Sequence, residues 1–259
     1  MRAAASAIIA LFLLAVLLGA YFVRPRLPAA ERGHRLAQST GCFACHGDGG
    51  LKGAANPGRD DRTVPGFEGD VMMYAKNLEE IRQWIHDGVN EARSQSETWR
   101  EQSRRGAVKM PAFGDRLTDR KIADLTAYVA AVSGMPEPET PEAARGLERA
   151  EAFGCIGCHG AGGRLAPVNP GSLKGYVPSW DSDDFAELVR DRDEFKDWVE
   201  NGVSRRHDRN PFARFFLRRA VLRMPAYRDR LEPGDMDALW SYVQWLRALP
   251  DTALTIGGR

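Results

Sequence analysis

Two short runs in the 259-residue chain bring sulfur and imidazole together in one pattern: Cys42-Phe43-Ala44-Cys45-His46 and Cys155-Ile156-Gly157-Cys158-His159. Cys-x-x-Cys-His is the attachment signature of c-type haem. Two thiols three positions apart reach the two vinyl groups of one porphyrin as thioethers, and the histidine that follows comes under the iron as proximal ligand. The rival chemistries each leave something over. A redox dithiol expects a βαβ setting. Zinc knuckles expect about 15–20 residues between the cysteine pairs, where here 109 separate Cys45 from Cys155. A disulfide leaves both histidines without a role. These are the chain's four cysteines, so the motifs use all of them.

An iron bound on one side needs a sixth ligand or an open site. Met110 follows His46 by 64 residues and Met224 follows His159 by 65, and both stand in Met-Pro-Ala. Thioether sulfur on the iron raises the potential. The plainer role of a methionine is to fill a core, and that reading is given to Met72, Met73, Met135 and Met236. His34, His86 and His207 are rival ligands, but none has a histidine at the matching place in the other half of the chain; they read as surface histidines.

Those matches extend along the chain. Gly41–Gly47 matches Gly154–Gly160, Asn56-Pro57-Gly58 matches Asn169-Pro170-Gly171, and Val64-Pro65 matches Val177-Pro178, all at an offset of 113. Trp84, Gly88, Val89, Met110-Pro111-Ala112, Asp115-Arg116-Leu117 and Tyr128-Val129 match their counterparts at 114. A repeat on this scale means two homologous domains, joined by the proline-stiffened linker Gly134–Pro141.

The elements that must position the motifs are helical. Each half opens on a helix, Glu31–Ser39 or Glu142–Ala152, that runs into the Cys-x-x-Cys-His turn. A middle helix carries Leu78, Ile81, Trp84 and Ile85 in one half and Phe195, Trp198 and Val199 in the other, stopping near Gly88 or Gly202. A last helix carries Ile122, Leu125, Val129 and Val132, or Met236, Leu239, Val243 and Leu246. Strand and hairpin signals do not recur, so the fold class is all-α. Ahead of both halves, Ala3–Val23 is 21 residues without a charge. As a helix it spans about 31 Å, enough for a bilayer core. It is long for a cleaved signal and Leu18-Gly19-Ala20 is a poor cleavage site, so it reads as a retained anchor. Arg2 with the terminal amine balances Arg24 and Arg26, and charge does not decide orientation. The expected division is 1–30 anchor and exit linker, 31–135 domain 1, and 136–259 domain 2.

With these residues in place, each half resembles a class I cytochrome c domain, and the whole resembles a membrane-anchored dihaem cytochrome c: two tandem class I domains after one N-terminal transmembrane helix. The resemblance covers about residues 30–250. It implies two covalently attached c-type haems, the first on Cys42, Cys45, His46 and Met110, the second on Cys155, Cys158, His159 and Met224. It implies a crossing of first and last helices at Gly33 with Tyr128 and at Gly146 with Tyr242. It implies that the carbonyls of Pro57 and Pro170 hold the imidazoles. Because haem is attached to such proteins outside the cytoplasm, it also implies a single-pass inner-membrane protein with its haem domains periplasmic. Val89–Lys109 and Val203–Arg223 make each half longer than a minimal domain; these stretches read as extra loops that form the interdomain contact, a partner surface or a cover that excludes water.

Charge adds detail. The net charge is +1, from 36 basic and 35 acidic residues, which argues against nucleic acid as a partner. The 43% apolar content is ordinary for a folded chain. Arg205–Arg223 nevertheless holds seven arginines against Asp208, with Phe212, Phe215 and Phe216 among them, while Asp181–Glu200 holds nine acidic and three basic residues. The two neutralise one another, or the first is a docking patch for an acidic partner or anionic lipid. With both sixth positions filled no iron is open to substrate. The expected function is a membrane-tethered carrier of single electrons between a membrane redox complex and a periplasmic redox protein, or a subunit of such a complex. The alternatives are a dihaem peroxidase-type enzyme, which needs an iron that can lose its distal ligand, and a haem sensor, which needs an output segment.

Overall fold

The helices start and stop where local chemistry dictates. α1 (Ala29–Thr40) begins after Pro28 and ends at Gly41, whose φ of 82° is left-handed; α2 (Phe43–His46) is the Cys-x-x-Cys-His turn itself. α3 (Leu78–Asp87) is capped by the Asn77 side chain on the Glu80 amide and stopped by Gly88 at φ 75°. α4 (Glu97–Arg105) and α5 (Asp119–Val132) are capped by Ser96 and Thr118. The second half repeats the series. α6 (Pro141–Ala152) starts on Thr140 with Pro141 in its first turn, α7 (Cys155–His159) is the second motif, and α8 (Arg192–Asn201) runs from the Asp191 cap to Gly202. α9 (Pro211–Arg219) is capped by Asn210, and α10 is Asp235–Ala248.

This computed structural model describes residues 9, 11–14, 16, 17, 19 and 26–249. Among them the chain is helical, with two isolated bridges, Ala55 with Thr63 and Val168 with Tyr176. The expected anchor Ala3–Val23 lies largely outside the described residues, and among the described residues no helix is long and apolar enough to cross a membrane. The stretches expected as loops are folded: Val89–Lys109 holds α4, and Val203–Arg223 holds α9 and a turn of helix at Arg205–Arg209.

α1 crosses α5, and α6 crosses α10, at the two predicted glycines. A Cβ on Gly33 would sit 1.9 Å from the Asp124 carbonyl oxygen, and one on Gly146 would sit 2.0 Å from that of Ala238. The core of the first half gathers Ala37, Ile81, Ile85, Ile122, Leu125 and Tyr128 between α1, α3 and α5. Met135 is buried against it, as a core filler should be. Met72 and Met73 are not core: they lie on a 3₁₀ turn at 51% and 70% exposure, where Val71 turns inward in their place.

Contacts divide the chain into two compact units, so far as their residues are described. One comprises Leu27–Pro167, Pro178–Leu188 and Arg230–Arg259, and the other Met1–Arg26, Val168–Val177 and Val189–Asp229. This division does not follow the expected boundary after residue 135. The reason lies within the first unit, where the loop after α7 is locked to the first half. Leu165 packs with Ala30, Ala127 and Ala131. The Ala166 amide donates to the buried Glu31 carboxylate at 3.3 Å, and Arg164 donates to the Met135 carbonyl at 3.2 Å.

Candidate haem sites

Around α2 the first motif lines one side of a cavity of about 1020 Å³. Cys42, Cys45 and His46 share that cavity with Met110, brought from 64 residues away, and with the apolar faces of Ile81, Trp84 and Leu125. His46 Nδ1 lies 2.8 Å from the Pro65 carbonyl, which fixes the ring and leaves Nε2 as its other nitrogen. Phe67 packs on the imidazole with ring centroids 4.7 Å apart. Burial pushes this imidazole down against the opposing Pro65 bond, which favours the neutral form that binds a metal.

Met110 is held by its backbone. The Asn56 amide donates to the Val108 carbonyl and its oxygen accepts from the Val108 amide, both at 2.9 Å, while the Ala107 amide donates to the Pro57 carbonyl. On the other side, a Cβ on Gly88 would sit 2.7 Å from the Met110 carbonyl. The repeated Asn-Pro-Gly and the repeated glycine thus clamp the Met-Pro segment. The expected role of Pro57 is corrected here: its carbonyl is taken by Ala107, and Pro65, nineteen residues after the histidine, holds the ring.

The same parts recur in the second half, each in its own unit. In the first unit His159 Nδ1 lies 3.1 Å from the Pro178 carbonyl, and Trp180 packs on the imidazole at 5.0 Å. Burial pushes His159 down to about 4, opposed by the Pro178 bond, and pushes the Cys155 thiol up to about 11. A raised thiol is the reverse of a redox-active Cys-x-x-Cys. In the other unit Asn169 pairs both ways with Leu222 at 3.0 and 2.9 Å, and Val221 donates to the Pro170 carbonyl. A Cβ on Gly202 would sit 2.4 Å from the Met224 carbonyl. Pro170, like Pro57, is therefore not the imidazole's partner. The Val-Pro match at offset 113 carried the signal for Pro65 and Pro178, and Phe67 and Trp180 stand at that same offset. Tyr128 and Tyr242 donate to the Gly49 and Gly162 carbonyls, each at 2.9 Å, tying the last helices to the turns after the motifs.

The histidines set aside as surface residues are more enclosed than that. His207 lies against Trp198 at 5.3 Å with Nδ1 2.7 Å from Ser204 Oγ, and His34 packs between Phe43 and Tyr128. Neither lines the cavity. Sequence reasoning also missed Arg59, which pairs with Asp61 at 2.8 Å and lies 4.5 Å over the buried Trp99 beside the cavity. Its counterpart at offset 113 is Ser172.

Free thiols, a histidine and a thioether on one apolar hollow suit haem, and among the described residues no group of three His, Cys, Asp or Glu offers a compact metal site. Residues 28–129 match the family described as cytochrome c oxidase, cbb3-type, subunit III. That match takes in 102 of the 259 residues, the first Cys-x-x-Cys-His motif among them. The chain also resembles oxidase subunits of several bacteria. It is 30% identical over 138 residues to the cbb3-type cytochrome c oxidase subunit FixP of Azorhizobium caulinodans, 53% of this chain and 41% of that protein. Over 208 residues it is 28% identical to FixP of Bradyrhizobium diazoefficiens, 79% of this chain and 57% of the relative. FixP of Rhizobium meliloti is 32% identical over 120 residues, 46% of this chain and 35% of the relative. The chain thus spans between about a third and three-fifths of the length of these relatives.

Proposed function

We propose that the chain is a dihaem cytochrome c, tethered to the inner membrane, that carries single electrons through haem 1 on Cys42, Cys45, His46 and Met110 and haem 2 on Cys155, Cys158, His159 and Met224. The two haem domains are 31–135 and 136–259, read from the repeat. The observation that carries the reading is the doubled set of clamps. In each half a prolyl carbonyl orients the histidine, and an Asn-Pro-Gly turn with a distant glycine fixes the backbone at Met-Pro. When bound, each haem supplies a one-electron iron couple whose potential Met/His ligation raises. The chain's part is to hold both axial side chains in place, so that little rearrangement accompanies a change of charge, and to keep water away with Phe67, Trp84 and Trp180.

The described residues of the apolar run support the tether: Ile9, Leu11, Phe12, Leu13, Leu14, Val16 and Leu17 are each more than half exposed. A row of that kind marks a membrane or partner contact. The haem domains lie on the periplasmic side, where c-type haem is attached. The named relatives are oxidase subunits, and the partners are a membrane redox complex, with this chain as a non-catalytic subunit of it, and a periplasmic redox protein. The test is ligand exchange. Ferric spectra of the intact protein show the near-infrared sulfur-to-iron band, and Met110→His or Met224→His removes half of it and lowers the potential of that haem alone. Bands and potentials that survive both substitutions overturn the ligand set.

A further inference from the structure

α4 and α9 occupy the same place in the two halves, each following the middle helix by a short turn, yet they are built differently. α4 reads Glu-Thr-Trp-Arg-Glu-Gln-Ser-Arg-Arg: Glu97 and Glu101 stand among its arginines, and its one large apolar side chain, Trp99, is buried. α9 reads Pro-Phe-Ala-Arg-Phe-Phe-Leu-Arg-Arg, and from Arg209 to Arg223 there are five arginines and no acid. Phe212, Phe215 and Phe216 form one cluster, with ring centroids 5.0 and 5.1 Å apart. At 100° per residue they share one face of the helix, and that face is turned to solvent: Phe212 is 61% and Phe215 54% exposed. Val221 and Leu222 extend the apolar strip beyond the helix, at 69% and 38%. The Arg219 guanidinium lies 5.3 Å over the Phe215 ring; at the same 100° per residue Arg218 stands to one side of the aromatic face and Arg214 on the far side of the helix.

Acidic residues that share the unit of α9 are engaged elsewhere. Their carboxylates take the arginines before α9: Glu194 pairs with Arg206 at 2.7 Å and Asp197 with Arg205 at 2.9 Å. Arg214 has Asp208 at 3.8 Å. The unit that holds α9 also holds the described part of Met1–Arg26. The Arg26 amide donates to the Tyr176 hydroxyl at 3.3 Å, which fixes the exit of the apolar run to that unit.

We propose that α9 and Val221–Leu222 seat the unit that holds them on the surface of an anionic bilayer, with Phe212, Phe215 and Val221 entering the headgroup region and Arg218 and Arg219 taking lipid phosphates. Exposed aromatic side chains between arginines on a short amphipathic helix are what an anionic interface accepts, and the proposal rests on the tether reading above. A membrane is favoured over an acidic protein because the apolar run, held to the same unit at Arg26, delivers this face to a bilayer without a further association step.

The experiment reconstitutes the full haem-loaded chain into nanodiscs of phosphatidylcholine alone and of phosphatidylcholine with phosphatidylglycerol, and follows amide hydrogen exchange. Expected is a slowing of about tenfold or more across residues 212–222 in the anionic discs only. Arg218→Glu with Arg219→Glu, or Phe212→Ser with Phe215→Ser, abolishes it while both haem spectra stay unchanged. Equal exchange in the two kinds of disc overturns the proposal. So does protection that appears only on adding an acidic redox protein, which would assign the face to protein docking. A chain that stays out of the discs overturns the tether, and α9 is then judged by sedimentation with phosphatidylglycerol vesicles: binding that the double arginine change abolishes upholds the proposal, and no binding overturns it.

Discussion

Gly33→Ala and Gly146→Ala test the helix crossings that carry both haem motifs. The added Cβ at Gly33 would stand 1.9 Å from the Asp124 carbonyl oxygen and 2.8 Å from Tyr128 Cβ. At Gly146 the distances are 2.0 Å to the Ala238 carbonyl oxygen and 2.6 Å to Tyr242 Cβ. Ordinary contact begins near 3.4 Å, so each helix pair must part by about 1.5 Å, and the opposing atoms are backbone that cannot swing aside. Overpacking of this kind costs about 1–3 kcal/mol or more. At about 4–8 °C per kcal/mol for a module of roughly 100 residues, the unfolding midpoint falls by roughly 5–20 °C. The assay is thermal unfolding of the haem-loaded protein by far-UV circular dichroism, with Gly157→Ala as control. Gly157 has nothing within 4 Å of a built Cβ, and its counterpart in the first motif is already Ala44. If both crossing variants melt within about 2 °C of the control, the helices do not depend on this close approach and the argument from the crossings is wrong.

Three further outcomes follow from named contacts. Tyr128→Phe, and separately Tyr242→Phe, removes a hydrogen bond to a loop carbonyl and lowers stability by about 1 kcal/mol in denaturant titration; no change would mean that water replaces the hydroxyl. Arg59→Ser, which copies Ser172, leaves Asp61 uncompensated beside the first cavity. It lowers the potential of haem 1 by on the order of tens of millivolts in a redox titration, with haem 2 unmoved. Burial raises the Glu194 carboxyl, but hydrogen bonds from Arg206, the Arg190 amide and Ser204 outweigh it and hold the group at about 2. Its folded value lies below the unfolded one, so its stabilisation is complete above about pH 4.5 and disappears as pH falls toward 2. Glu194→Gln flattens that acid limb by on the order of 3 kcal/mol, read from chemical unfolding at stepped pH.

The two motifs, the repeat, the helix order and the glycine crossings were legible because each is written in residue types at fixed spacing. Cysteine, histidine and methionine declare their chemistry by identity, and a helix buries one stripe whose period the chain displays. Pro65 shows where that legibility stops. Sequence supplied the Val-Pro match but offered Pro57 as the imidazole's partner, since a backbone carbonyl has no identity of its own and any residue can present one. Met72 and Met73 make the same point from the other side: apolar type suggested burial, while a 3₁₀ turn spent that burial on Val71.

The chain's sequence by itself determined that two halves each carry a Cys-x-x-Cys-His motif and a distant Met-Pro-Ala, and that a long uncharged run precedes them. Only the tertiary structure decided which carbonyl holds each histidine, that Asn56 and Asn169 clamp the methionine segments, and that Phe212 and Phe215 face outward. It also decided that the loop after the second motif is locked to the first half through Glu31 and Leu165. Those choices depend on contacts between residues tens to more than a hundred positions apart, set by how close two helices can come. Local propensity and spacing carry no record of that distance.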